Sequence, residues 1–190
     1  MNIQAISFKG MPQNYQVINK YVSRSAQPAP EDFAWLKEQG VTDIVNFRTM
    51  LDPHITFNEK SIVEELGMNY HNIPTYSRNP KEEDVDRFLK LTEEVSNRDG
   101  KLHIHCKAGA DRTGLYAFIY KMKQGIGSLT ANIEEWISRG HNQQLYPNMI
   151  NWGKNFVKDN AVADKVKLLE DKVKELEDKL NNKTTTKKKD

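Results

Sequence analysis

Along the first 160 positions the apolar residues keep changing spacing, from compact runs that suit strands to steps of three and four that suit helices. β-Branched and aromatic runs at residues 42–48 (TDIVNFR), 68–74 (MNYHNIP) and 101–106 (KLHIHC) predict strands, and residues 21–24 predict a shorter one. Helices are predicted between them. In residues 27–40 (QPAPEDFAWLKEQG), Pro30 suits a first helical turn, Glu31 and Asp32 favour the positive end of the dipole, and Gly40 suits the exit. Residues 58–66 form a second helix ended by Gly67, and Val85, Phe88, Leu89 and Val95 give residues 80–95 helical spacing. Residues 113–123, 129–138 and 148–158 complete the helical set. Strands alternating with helices predict an α/β fold with a mainly parallel central sheet flanked by helices. Ligands of such sheets bind beyond the carboxyl ends of the strands, and Cys106 lies at one of those ends.

From Ala161 the chain has no Gly, Pro or aromatic residue. Val162, Val166, Leu169, Val173, Leu176 and Leu180 follow alternating steps of four and three, a heptad seam with Val at a and Leu at d. Lys165, Lys172 and Lys179 fall at g, and Glu170 and Glu177 at e, so two parallel chains would bring Lys165 to Glu170 and Lys172 to Glu177. The run is about three heptads, which leaves open both a homodimer through residues 162–180 and a single amphipathic helix packed on its own domain or frayed in solvent. The expected organisation is therefore a domain over residues 1–160, an amphipathic coiled-coil-like helix over 161–182 and a disordered basic tail over 183–190. Residues 1 to about 20 read as an extension of that domain.

Charge alters this picture little. Twenty-eight basic residues nearly balance 26 acidic ones, for a net +2, which argues against a nucleic-acid binder. One cysteine excludes an internal disulfide framework and fits a reducing compartment. The N-terminus lacks a basic stretch followed by an apolar core, and no window approaches about 18 consecutive apolar residues, so neither a secretory signal nor a transmembrane segment is expected and the setting reads as cytoplasmic.

The cysteine stands in HCKAGADRTG, residues 105–114. A short loop running from a strand into a helix N-terminus aims several backbone N–H groups at one point and makes an anion-binding nest. Gly109 permits positive φ or close backbone approach, and Ala108 and Ala110 keep side chains out of the ring. The helix dipole and the inward amides favour a thiolate at Cys106. Arg112, six residues on, can return to the same point with a planar fork matched to two phosphate oxygens. A nucleophile and a phosphate cradle centred on one atom suit phosphoryl transfer to sulfur followed by hydrolysis. The expected phosphate-binding set is Lys107, Ala108, Gly109, Ala110, Asp111, Arg112 and Thr113. Thr113 either donates its hydroxyl to Cys106 or caps the next helix, and His105 fixes the loop through its ring nitrogens.

The segment resembles the signature loop of the cysteine-dependent protein tyrosine and dual-specificity phosphatase superfamily, His-Cys-x5-Arg-Ser/Thr-Gly. With SRSAQPAPEDFAWLKEQGVTDIVNFR and YHNIP ahead of it, the stretch from residue 21 to about 152 is similar to the compact dual-specificity phosphatases of bacterial type. The resemblance implies Cys106 as nucleophile, Arg112 as phosphate ligand, and no metal or other cofactor. It also implies a general acid on the loop after YHNIP, but residues 75–81 (TYSRNPK) hold no carboxylate. Two candidates replace it: Asp84, in the first turn of the next helix, and Asp111, where phosphoinositide phosphatase branches of the superfamily carry an acidic residue. Lys107 stands where lipid and inositol phosphate phosphatases place a lysine. The implied substrate is a phosphorylated protein, with a phosphoinositide or inositol phosphate second. A non-catalytic phosphate-binding scaffold is the reading from another class.

A zinc set of His103, His105 and Cys106 is disfavoured, because a fourth ligand is lacking and Arg112 would repel a cation. His54, His71 and His141 show no ligand spacing and are expected to face solvent or pack, and Trp35, Trp136 and Trp152 suit packing.

Overall fold

The computed structural model describes residues 10–50, 52 and 56–186, with side chains through 176. Expected His54 thus lies outside the described residues. Five strands form one sheet in the order β1-β2-β5-β3-β4. They are β1 (Gln16–Val17), β2 (Val22–Ser25), β3 (Asp43–Asn46), β4 (Asn69–Asn72) and β5 (Leu102–His105). Only the edge pair β1–β2 is antiparallel; β2–β5, β5–β3 and β3–β4 are parallel. The helices are α1 (Pro30–Glu38), α2 (Glu59–Glu65), α3 (Glu82–Asn97), α4 (Arg112–Lys123), α5 (Leu129–Ser138) and α6 (Met149–Thr186). The α/β architecture expected from the alternation is the one found.

Local chemistry explains the boundaries. Pro30 opens α1, the Asp32 carboxylate accepts from the Ala29 N–H, and Gly40 leaves the helix at φ 82°. Asn58 caps α2 by accepting from Ser61 N, and Ser128 caps α5 by accepting from Ala131 N. β2, β3 and β5 are buried throughout, as strands covered on both faces must be. One part of the core joins Phe33 and Leu36 of α1 to Ile44, Val63 and Met68. Another is aromatic: the Phe47 and Tyr116 rings stack at 3.9 Å, with the Phe88 ring edge-on to both.

Three expectations need correction. Residues 13–17 are not an extension: β1 pairs with β2, and Ala26 N donates to Gln13 O at 2.8 Å. A two-residue edge strand has too few positions to show a period. The helices expected at 148–158 and 161–182 are one continuous helix, α6, since nothing in Lys158–Ala161 (KDNA) interrupts the i to i−4 ladder with Pro or Gly. Residues 183–186, expected to be disordered, continue α6, and 187–190 lie outside the described residues. The chain divides into two compact units between Gly153 and Lys154, within α6. Among the described residues no helix is long and apolar enough to cross a membrane.

Candidate active site

Parallel pairing brings the carboxyl ends of β2, β5, β3 and β4 to one edge of the sheet, at Ser25, His105, Asn46 and Asn72. The segments leaving those ends line a cleft of about 300 Å³. Thr49 and Asp52 follow β3, Thr75, Tyr76, Ser77 and Arg78 follow β4, and Arg112 opens α4; Tyr146 closes the ring from the segment after α5. Cys106, which follows the central strand β5, is a free thiol and 1% exposed.

The loop after Cys106 is held from outside by its carbonyls. Lys107 O accepts from Gln27 N at 3.1 Å, Ala108 O from Asn14 Nδ2 at 3.2 Å, and Ala110 O from Trp136 Nε1 at 2.9 Å. The Gly109 carbonyl accepts from the Arg24 guanidinium. A peptide unit points its N–H opposite to its C=O, so carbonyls tied outward turn the amides inward. Among the described residues, none of the amides of 107–111 makes a hydrogen bond to a protein acceptor. Gly109 has φ 68°, and a Cβ there would lie 2.5 Å from Ala26 N and from Ser25 C and O, so the loop seats directly on the end of β2.

Arg24, on β2, was missed because a strand of four buried residues gives no reason to expect a buried guanidinium behind a loop 85 positions away. An arginine flanked by serines inside a β-type run was the available signal. Burial pushes its pKa down to about 10, with the Arg139 charge adding and Cys106 opposing, so it stays charged at neutral pH.

Arg112 is 8% exposed and donates from Nη1 to Asp52 Oδ2 at 2.6 Å and from Nη2 to Asp52 Oδ1 at 2.7 Å. Nη1 also reaches Phe47 O at 3.3 Å. Burial works against the Arg112 charge, but the bonds to Asp52 and the nearness of Cys106 hold its pKa above the ordinary value. Burial likewise opposes the Asp52 charge, while Arg112 and Thr49 hold that carboxyl well below the usual range. Asp52 carries no local motif; only the return of the β3 loop to α4 reveals it.

The other expected residues fall in different surroundings. His105 is fully buried with Nε2 2.7 Å from Glu59 Oε1 and Nδ1 3.4 Å from Cys106 O. Glu59 also accepts from Asn46 and Gln27; burial opposes its charge, but His105 and Gln27 keep its pKa below the ordinary value. Thr113 makes neither expected contact: its Oγ1 is buried without a hydrogen-bond partner, and the N-cap of α4 is Asp111. Asp111 Oδ1 accepts from His141 Nδ1 at 2.8 Å and from Asn142 N at 2.9 Å. His141, expected only to pack or face solvent, therefore holds a loop carboxylate while lying against Trp136 at 4.7 Å. Asp84 accepts from Arg87 at 2.5 Å on α3; like Asp111 and Cys106, it is not among the residues lining the cleft. Lys107 and Ala108 are exposed, and Ala110 is buried. The ring nitrogens of His103 are committed to Ser23 and Ser25 at 3.0 and 2.8 Å, and burial pushes its pKa well down, so it serves the core as a neutral ring.

Residues 6–155 match the family described as DSP-PTPase phosphatase fused to NAD+ kinase. The chain belongs to that phosphatase family. TpbA, a dual specificity protein phosphatase of Pseudomonas aeruginosa, is 26% identical over 99 residues, which are 52% of this chain and 42% of TpbA. The chain spans less than half the length of that curated relative. A DUF442 protein from Shewanella putrefaciens CN-32 superposes with a TM-score of 0.66 at 24% identity, covering 84% of this chain and 96% of the other. The core catalytic domain of the PP-IP phosphatase SIW14 from Saccharomyces cerevisiae gives 0.61 at 20% identity, covering 79% and 94%. These structural likenesses establish the fold as that of DSP-type phosphatases; the family match covers the cleft and the Cys106 loop entire.

Proposed function

We propose that this chain hydrolyses phosphate monoesters through a cysteinyl-phosphate intermediate, with phosphotyrosine in proteins as the preferred substrate class. One observation carries the reading: every carbonyl from Lys107 to Ala110 is tied outward, so the amides converge beside Cys106 where Arg112 also arrives. The Cys106 sulfur attacks phosphorus, the ester oxygen leaves with a proton, and water then cleaves the S–P bond to release phosphate. Inward amides and the Arg112 fork meet the charge on the equatorial oxygens. Asp111 hands over the proton: it belongs to the loop itself, and His141 and Asn142 fix one of its oxygens while the other makes no such bond. Asp84 is the weaker choice, being tied to Arg87. The unpartnered Thr113 hydroxyl is the group available to the sulfur when phosphate departs.

The cleft favours an aryl phosphate. Tyr76 and Tyr146 offer aromatic walls, and its cations are Arg78 and the Asp52-paired Arg112. A cavity of about 380 Å³ shares Ser77, Arg78 and Tyr146 with the cleft and adds Pro80, Leu145 and Trp152, room for residues flanking a phosphotyrosine. A phosphoinositide or inositol phosphate is the second reading, supported by exposed Lys107 on the loop and by the PP-IP phosphatase among the similar structures. A phosphate-reading scaffold without turnover is the third. Phosphate release from phosphotyrosine peptides, phosphoinositides and inositol phosphates decides among them. Turnover lost in Cys106→Ser supports the enzyme; turnover absent, or unchanged in Cys106→Ser, refutes it. An Asp111→Asn rate that falls more steeply for poorer leaving groups marks Asp111 as the proton donor, and an undiminished rate removes it.

We also propose that α6 pairs with α6 of a second copy. Val162, Val166, Leu169, Val173 and Leu176 are 48–65% exposed along one seam, with Lys165 and Glu170 placed to pair across it. A cytoplasmic setting accompanies the reading, since a free nucleophilic thiol keeps its reactivity where thiols stay reduced.

A further inference from the structure

The Asp52–Arg112 pair has a geometry that assigns the rest of the guanidinium. A guanidinium carries five N–H donors in one plane: one on Nε and two on each Nη. Asp52 takes one from Nη1 and one from Nη2, and the Phe47 carbonyl takes the second on Nη1. The two that remain, Nε–H and the second Nη2–H, lie side by side and form a single bidentate edge. A phosphate accepts two parallel N–H bonds across such an edge. Asp52 therefore does not compete with phosphate for the same face of Arg112. It occupies the end of the fork and leaves the side of it for the ligand.

We propose that Asp52 is a positioning residue that fixes the Arg112 fork so that its Nε–Nη2 edge is presented to the substrate phosphoryl group. The inference rests on the phosphatase reading above. Asp52 is itself anchored, accepting from Thr49 N at 2.7 Å and Thr49 Oγ1 at 3.0 Å, so the brace runs from the β3 loop to the start of α4. An arginine side chain has many rotamers; a bidentate carboxylate at one edge removes most of them before substrate arrives. The same contacts oppose a proton-donor role. A carboxylate accepting bonds from both Nη groups of Arg112 and twice from Thr49 is held ionised and has no proton to give. Its negative charge also offsets that of Arg112, leaving recognition of the phosphoryl group to directed N–H bonds more than to net charge.

The test is kcat/KM of the full chain on aryl phosphates of graded leaving-group pKa, from p-nitrophenyl to phenyl phosphate. Asp52→Ala is expected to lower kcat/KM by about 100-fold, the cost of a misplaced binding group, and by the same factor for every leaving group. In an Arg112→Lys background, where an ammonium has no edge to orient, Asp52→Ala is expected to add less than about twofold. Should Asp52→Ala lower the melting temperature too far to assay, Asp52→Asn, which keeps the volume and one acceptor oxygen, is expected to show an intermediate and equally flat loss. Activity unchanged in Asp52→Ala, a loss that steepens with leaving-group pKa, or full additivity with Arg112→Lys would each overturn the proposal. An inactive unmodified chain overturns the phosphatase reading and this inference with it; an active chain indifferent to Asp52 overturns this inference alone.

Discussion

Replacing Gly109 by alanine adds one methyl group at the place where the Cys106 loop meets the sheet. The new Cβ would stand 2.5 Å from Ala26 N, Ser25 C and Ser25 O, and all three are backbone atoms at the end of β2 with no rotamer to yield. At φ 68° a side chain also adds about 1–2 kcal/mol of left-handed strain. Overpacking of this kind costs about 1–3 kcal/mol more, for a total near 2–5 kcal/mol. Relief requires the loop to lift off β2, which stretches the Arg24 contact to the Gly109 carbonyl and turns the amides off their common point. Urea unfolding is expected to show a loss of about 2–5 kcal/mol. Turnover of p-nitrophenyl phosphate is expected to fall about 100-fold, measured where the variant remains folded. A variant within about 0.5 kcal/mol of the parent and within twofold of its rate would refute the idea that the loop is seated on β2.

Two further outcomes follow from other parts of the molecule. Burial opposes the Asp43 charge, but His71, Thr42, Arg98 and Asn69 hold its carboxyl down at about 2. Because the folded pKa lies below the unfolded one, this contribution is present above about pH 4 and is lost as pH falls toward 2. Asp43→Asn is therefore expected to cost about 2 kcal/mol at pH 7, with the gap to the parent closing between about pH 4 and pH 2 in urea titrations; a gap independent of pH would contradict it. For α6, the full chain is expected to scatter light as two copies, and Leu169→Glu with Val173→Glu as one; equal masses for the two would remove the pairing.

What was legible in the sequence was local. Thr42–Arg48 announced β3 because β-branched and aromatic residues crowd together, and Gly40 and Gly67 announced helix exits because both adopt positive φ, at 82° and 70°. Cys106 and Arg112 could be paired on paper because a strand, a five-residue loop and a helix place them near each other without any help from topology. The supporting residues could not. Asp52 reaches Arg112 across 60 positions, Glu59 reaches His105 across 46, and Arg24 reaches Gly109 across 85. Each depends on β5 being inserted between β2 and β3, an order that periodicity does not encode. Asp84 shows the converse case. An acidic residue in the first turn of a helix was available for chemistry by position alone, and the structure gives it to Arg87 three residues on.

The anchors of the Cys106 loop come from separate parts of the chain: Asn14 ahead of β1, Arg24 in β2, Gln27 after it, and Trp136 in α5. That dispersion has an energetic meaning. Inward amides repel one another as parallel dipoles, so a short loop would relax by turning some of them outward. Each carbonyl bond opposes the relaxation by about 1 kcal/mol, and the four together by about 4 kcal/mol, more where Arg24 brings a charge. Two of the donors, Arg24 and Trp136, are fixed in the core at 1% exposure each, and a Cβ on Gly114 would lie 2.0 Å from Trp136 Nε1. In the proposed reading, the orientation of the cradle is thus a property of the folded domain and not something a phosphate must induce. In a reaction whose transition state differs from its ground state mainly in where charge sits, donors that need not reorganise are the larger part of catalysis. It follows that the anchors should affect rate more than substrate affinity, because a ground-state phosphate tolerates a misaligned amide better than the more demanding transition state does.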